Sequence, residues 1–247
     1  MDSFLELGLD EAVARGLSSL GFDSPTPVQK LAIPALLAGR DLYLESETGT
    51  GKTFGYLAPA FSGLVAQRPE GGPAILVAVP TQELAVQIGR EAERLGVASG
   101  LELHTAVLIG GSPLDRQEAK LKSRPLIVVG TLGRLADMIT LRRLRVDSLR
   151  YLILDEADRL LAPEMEESSL ILLKAAPRGC LRALVSATLP ARTRAKAAPF
   201  MRNPQSLAVE ADRPVLAGDI EHWCFYCDGR KRLDFLRRFE AAVHPGR

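Results

Sequence analysis

The segment Ser46-Glu47-Thr48-Gly49-Thr50-Gly51-Lys52-Thr53 sets two glycines before a lysine and a hydroxyl residue. Gly49 and Gly51 allow the backbone to curl so that successive N–H groups face phosphate oxygens, and a helix opening at Lys52 adds its partial positive charge. Lys52 then reaches the β- and γ-phosphates, and the Thr53 hydroxyl is placed to coordinate Mg²⁺. Ser46 stands where the pattern G-x-x-x-x-G-K-[ST] has its first glycine. Serine is small enough to substitute there if the backbone needs no positive φ.

A phosphate loop needs a second acidic strand end to hold the metal, and Asp155-Glu156-Ala157-Asp158 supplies it directly after the apolar run Tyr151-Leu-Ile-Leu154. Asp155 is placed to hold Mg²⁺, commonly through water, and Glu156 to orient or activate an attacking water. An acidic helix cap would explain the tetrapeptide alone but not its pairing with a phosphate loop.

Elements that could position these groups recur along the chain. Short apolar runs begin at Asp41, Ala74, Leu103, Leu126, Leu149, Ala183 and Ser206, with helical stretches between them. Strands alternating with helices imply an open α/β fold, a parallel sheet with helices on both faces. In such sheets ligands gather beyond the carboxyl ends of the strands, which is where both motifs fall. Two helices are expected before residue 40, separated by the turn Asp23-Ser-Pro-Thr-Pro-Val-Gln29. After Glu210 the pattern breaks into a linker, one strand-like run from Ile220 to Tyr226 and a basic helical run. Residues 1–210 therefore read as one domain, and 211–247 as a linker with the start of a second.

At 247 residues, 47% hydrophobic and 25% charged, the chain can bury a substantial core. No run of about 18 apolar residues suggests a membrane span, and acids occupy the N-terminus where a secretion signal carries basic residues, so the expected address is cytoplasmic. Cys180, Cys224 and Cys227 are too few and too unevenly placed for a disulfide framework. Cys224 and Cys227 have half the spacing of a zinc site, but no second Cys or His pair accompanies them, and ordinary strand positions account for them. A net charge of +1 demands no nucleic-acid partner, so any such surface must be local.

Taken in order, these residues resemble the DEAD-box RNA helicases of superfamily 2, over Phe4 to about Glu210. The resemblance implies a RecA-like P-loop NTPase domain that binds ATP with Mg²⁺. The segment Gly21 to Gln29 is similar to the family's adenine-reading motif, with Phe4 as its isolated aromatic. Gln29 can offer a donor and an acceptor to the adenine edge, with apolar Phe22 near it; Phe4 and Phe22 equally suit core positions. Pro80-Thr81-Gln82-Glu83-Leu84, the pair Gly110-Gly111 and Thr131-Leu132-Gly133-Arg134 resemble the RNA-contacting motifs. Hydroxyls, backbone N–H groups and Arg134 suit the sugar-phosphate backbone, which implies RNA binding with little sequence reading. Ser186-Ala187-Thr188 resembles the segment that hydrogen-bonds the acidic motif, through Asp158, and links the ATP state to the grip on RNA.

The chain departs from the family pattern at Ser46, at Gln82 (arginine in PTREL), at Leu132 (proline in TPGR) and after Asp158, where the usual Gly-Phe is missing. Loss of an arginine at 82 removes a planar five-donor fork, so RNA affinity or its coupling to hydrolysis is the property affected. The family's second RecA-like domain, with its arginine fingers, has no counterpart here. The expectation is half of an enzyme that hydrolyses ATP barely above background by itself, its tail run either packing on the domain as a monomer or pairing with another copy as a dimer. A related DNA helicase of superfamily 2 fits Gln29 and the acidic tetrapeptide less well. A non-catalytic ATP-gated RNA clamp is opposed by intact Lys52, Asp155 and Glu156.

Overall fold

The computed structural model describes residues 3–67, 71–209, 226–228 and 231–243. The chain divides into two units, residues 1–210 and 211–247. In the first, seven strands form one sheet: β1 (Leu42–Glu45), β2 (Ile75–Val79), β3 (Thr105–Leu108), β4 (Ile127–Thr131), β5 (Tyr151–Asp155), β6 (Leu181–Ser186) and β7 (Gln205–Ala208). Each falls within or across one of the apolar runs. The order is β3-β4-β2-β5-β6-β1-β7, and every pairing is parallel.

The continuous apolar strands divide between two cores because side chains alternate along a strand. On β2, Ile75, Val77 and Val79 enter one hydrophobic cluster while Leu76 and Ala78 enter the other, and all five are at most 1% exposed. The first cluster takes residues from α1 (Glu11–Ser19), α2 (Pro27–Leu37), α3 (Lys52–Ala66) and α4 (Gln82–Ala98). The second takes them from α6 (Leu132–Thr140), α7 (Ala157–Leu160), α8 (Glu166–Ala175) and α9 (Ala191–Ala197). A buried Val, Leu or Ile contributes roughly 1.5–3 kcal/mol, so this two-sided packing fixes the sheet register. The short α5 (Leu114–Lys122) follows β3.

Strand order divides the carboxyl edge of the sheet in two. β5, β6 and β1 lie side by side, with Glu45 opposite Ser186 and Asp155 opposite Val185. β3, β4 and β2 form the other half, with Val79 opposite Thr131 and Leu108 opposite Gly130. The phosphate loop, the acidic tetrapeptide and Ser186 thus share one half, and the segments after β2, β3 and β4 share the other.

In the second unit α10 (Arg232–Val243) stacks Phe235 on Phe239 with ring centroids 6.3 Å apart. The linker and the expected tail strand lie outside the described residues, except for Tyr226, which is exposed. Cys224 is also outside them, while Cys227 is free and exposed.

Candidate active site

The loop from Ser46 to Lys52 is braced by its own polar groups. Ser46 N–H donates to Ser186 O across the β1–β6 pair (3.0 Å). Its hydroxyl shares a 2.8 Å hydrogen bond with Thr50, whose own hydroxyl lies 2.9 Å from Glu47 O. Among the described residues, the non-glycine positions with positive φ are Arg124, Arg142, Glu156 and Asn203, so Ser46 does not require glycine. It also provides a brace that glycine lacks. Gly49 and Gly51 have φ of 80° and 91°, the left-handed conformation that glycine adopts without steric penalty.

Lys52 opens α3 and folds back over the loop, donating to the carbonyls of Ser46 (2.6 Å) and Glu47. Burial holds its ammonium below the usual lysine range, against the pull of Asp155, Glu156, Asp158 and Glu47. One turn further along α3 stands Tyr56, fully buried, which donates a 2.8 Å hydrogen bond to Asp155 Oδ2. Asp155 Oδ1 accepts from Glu156 N–H (2.9 Å). Burial raises the Asp155 carboxyl above the ordinary range, opposed by the bonds from Tyr56 and Glu156 N–H and by the charge of Lys52.

Glu156 sits at φ 54°, a left-handed conformation that costs a non-glycine residue on the order of 1–3 kcal/mol. Such strain persists where surrounding structure enforces it, here the buried end of β5 and the start of α7. Its carboxylate pairs with Arg159 at 2.8 Å. Asp158 accepts a 2.6 Å bond from Ser186 Oγ, tying the acidic tetrapeptide to the end of β6. Thr188 is exposed, and among the described residues Ser186, not Thr188, makes the bond to Asp158.

These groups line a cleft of about 620 Å³ that takes in Phe22, Thr48, Gly49, Gly51, Lys52, Thr53, Asp155, Glu156, Asp158, Arg159 and Ser186. Phe22 meets Phe54 edge to face, centroids 4.8 Å apart, at one side of it. Gln29 is 1% exposed and lies beneath the loop. Its Nε2 donates to Gly51 O (3.0 Å) and its Oε1 accepts from Thr26 N–H (2.9 Å), so one N–H and one lone pair are already committed to the protein. Phe4 is 3% exposed, packed in the first core, and does not line the cleft.

On the other half of the sheet edge, Pro80 follows β2 and Thr81 caps α4, its hydroxyl accepting from Leu84 N–H at 3.2 Å. Gln82 is exposed beside the next loop, where a methyl on Gly110 would come within 3.4 Å of its Nε2. Gly111 has φ 76°. Thr131 ends β4, and Gly133 is open on the side where a side chain would project. Arg134 donates to Ser112 O (3.0 Å) and so holds the segment that follows Gly110-Gly111. Its partner in this is Gln117 of α5, 2% exposed, which accepts from Ile109 N–H (3.1 Å) and donates to Ile109 O (2.8 Å) and Ser112 O (3.1 Å).

Tyr56, Arg159 and Gln117 were not singled out by sequence reasoning. Tyr56 had the one available signal, a phenolic hydroxyl within the largely apolar run that follows Thr53 on α3; Arg159 and Gln117 stood among other charged and polar residues.

Residues 26–197 match the family model for the DEAD/DEAH box helicase. The chain is 33% identical over 251 residues to the ATP-dependent RNA helicase RhlB of Vibrio vulnificus, covering 99% of this chain and 57% of that protein. It is 35% identical over 240 residues to the ATP-dependent RNA helicase CshA of Listeria monocytogenes, covering 96% of this chain and 45% of that one. The chain thus spans about half the length of these curated relatives. The crystal structure of a DEAD box protein from the hyperthermophile Methanococcus jannaschii superposes with a TM-score of 0.76 at 28% identity, over 96% of this chain and 63% of that one.

Proposed function

Because the chain belongs to the DEAD/DEAH box helicase family, we propose that residues 1–210 are the ATP-binding first half of an ATP-dependent RNA helicase, joined in the complete protein to a second RecA-like domain. The observation that carries this reading is the convergence of Lys52, Asp155 and Glu156 on one cleft at the ends of β1 and β5, with Ser186 of the intervening β6 bonded to Asp158.

The adenine lies toward Phe22 and is read by the N–H and lone pair that Gln29 retains. Lys52 exchanges its loop carbonyls for the β- and γ-phosphate oxygens, which the N–H groups from Gly49 to Thr53 also face. Thr53 and Asp155 are the donors that would hold Mg²⁺, and the raised pKa of buried Asp155 fits a carboxylate that a cation would compensate. Among the described residues no group of three or more His, Cys, Asp or Glu forms a metal cage, and this also fits Mg²⁺, which is usually held by one or two carboxylates together with substrate phosphates. When bound, the ion neutralises charge on the phosphate oxygens.

Glu156 orients the attacking water. Its 2.8 Å pairing with Arg159 at the mouth of the cleft must open or share when water binds there. Asp158 and Ser186 carry the nucleotide state along the sheet edge toward Thr81, Gly110 and Thr131, which grip the RNA backbone without reading bases. Helix α4 joins the halves, since Thr81 and Gln82 start it and Leu84 and Gln87 line the nucleotide cleft.

An arginine from the second domain completes the transition-state charge, a contribution of roughly 10³ to 10⁵ in rate where such a finger operates. Residues 1–247 should therefore bind Mg·ADP and show almost no turnover, with or without single-stranded RNA. Steady-state ATPase assays with parallel calorimetry test this. Robust RNA-stimulated hydrolysis by this chain alone would overturn the two-domain reading, and failure to bind Mg·ADP would overturn the nucleotide site.

A further inference from the structure

Beside the Gly110-Gly111 loop, α4 and α5 enclose a groove of about 400 Å³ whose floor includes Val107 and Ile109. Arg90 projects into it from α4, and Arg116 and Lys120 from α5. Arg116 and Lys120 are four residues apart on one helix and so stand about 6 Å apart along its axis on the same side. Glu93 is the one acid lining it. The other acids nearby are drawn elsewhere: Asp115 and Glu118 pair with Arg143 at 3.5 and 3.1 Å, and Glu91 pairs with Arg94 at 3.3 Å. Among the described residues Arg90, Arg116 and Lys120 make no ion pair, and all three are exposed.

A chain of net charge +1 has no general surplus of cations to display, so three unpaired ones around an apolar floor mark a local sorting of charge. Ser112, which lines the groove, is also the residue whose carbonyl Arg134 and Gln117 hold. The groove is therefore continuous with the loop assigned to RNA contact.

We propose that the α4–α5 groove binds the backbone of single-stranded RNA that runs on past the Gly110-Gly111 loop, lengthening the footprint beyond the nucleotides held at Thr81, Gly110 and Thr131. The inference rests on the RNA reading above. Arg116 and Lys120 meet successive phosphates, Arg90 faces them from the opposite helix, and Val107 and Ile109 offer an apolar surface to the sugars or bases. A phosphodiester strand fits better than an acidic peptide because the groove opens directly from a loop already assigned to a strand of the same chemistry.

The test compares the 1–247 chain with its Arg116→Glu/Lys120→Glu variant by fluorescence anisotropy, using single-stranded RNAs of about 6 and about 20 nucleotides. At about 50 mM salt the variant should bind the longer RNA at least about tenfold more weakly, and the slope of log affinity against log salt should fall by about 1.4, two phosphates at about 0.7 each. Binding of the short RNA and of Mg·ADP should be unchanged. If the unaltered chain binds neither RNA, the RNA reading falls and the groove with it. If it binds both and the variant matches it at both lengths, the RNA reading stands and this inference is wrong, leaving the groove to an acidic protein segment. Equal losses at both lengths would also overturn it, because they would mark a general field effect and not an extension of the footprint.

Discussion

The hydroxyl of Tyr56 is bonded to the carboxylate of Asp155 across 99 positions of sequence, at 2.8 Å and out of contact with solvent. It links the helix that carries Lys52 and Thr53 to the strand that carries the acidic tetrapeptide. Tyr56→Phe removes the donor and leaves a buried carboxylate half-satisfied. The fold should lose about 1–3 kcal/mol, read by urea denaturation, and Mg·ADP should bind several-fold more weakly. An unchanged midpoint with unchanged affinity would show that the bond positions nothing.

The same carboxylate makes stability depend on pH in an unusual direction. Burial raises the Asp155 pKa in the folded state, so its contribution favours the fold when protonated and is lost as pH rises through the folded value. Near neutral pH the ionised carboxylate therefore weighs against the fold, and Asp155→Asn should be more stable than the unaltered chain there. The advantage should shrink as the pH is lowered to about 4, the ordinary aspartate range. Mg²⁺-dependent nucleotide binding should be lost at both. Denaturation curves at the two pH values decide it, and an advantage that grew on acidification would reverse the assignment.

Lys52 and Glu156 should separate binding from turnover. Lys52→Ala removes charge-assisted bonds to the phosphates, and Mg·ADP affinity should fall by about 10- to 100-fold in calorimetry. Glu156→Gln keeps the shape of the side chain and should leave affinity intact while abolishing hydrolysis in the protein that carries both domains. Normal turnover by that variant would remove Glu156 from its role.

Gln29 keeps one N–H and one lone pair beyond those spent on Gly51 and Thr26, and in the proposed reading these meet the adenine edge. GDP should therefore bind at least about tenfold more weakly than ADP, since each mismatched bond costs roughly 1–3 kcal/mol. Equal affinities would leave Gln29 as a brace for the phosphate loop only.

Gln117→Leu removes three hydrogen bonds from the 109–112 segment while keeping the side chain's bulk. Single-stranded RNA should bind several-fold more weakly and Mg·ADP unchanged, measured on one preparation. Parallel losses of both ligands would point to general unfolding.

The sequence by itself determined the sheet and where along the chain the motif residues fall, because both are written in local patterns. Seven apolar runs became seven strands, the central ones such as β2 buried on both faces and the edge strands β3 and β7 only partly covered, and the residues just beyond them carry the motifs since a parallel sheet exposes its carboxyl ends. Lys52 to Thr53 and Asp155 to Asp158 were legible for that reason. Tertiary structure alone decided the strand order, and with it the placement of β6 between β1 and β5 that brings Ser186 to Asp158. It decided that Phe4 packs in the first core, a placement that hydrophobicity alone could not tell from a ligand contact. It supplied partners for Tyr56 and Gln117 as well. Their hydrogen bonds run between elements whose approach depends on how the helices cover the sheet, and a polar atom's partner has no local signature when it comes from another element.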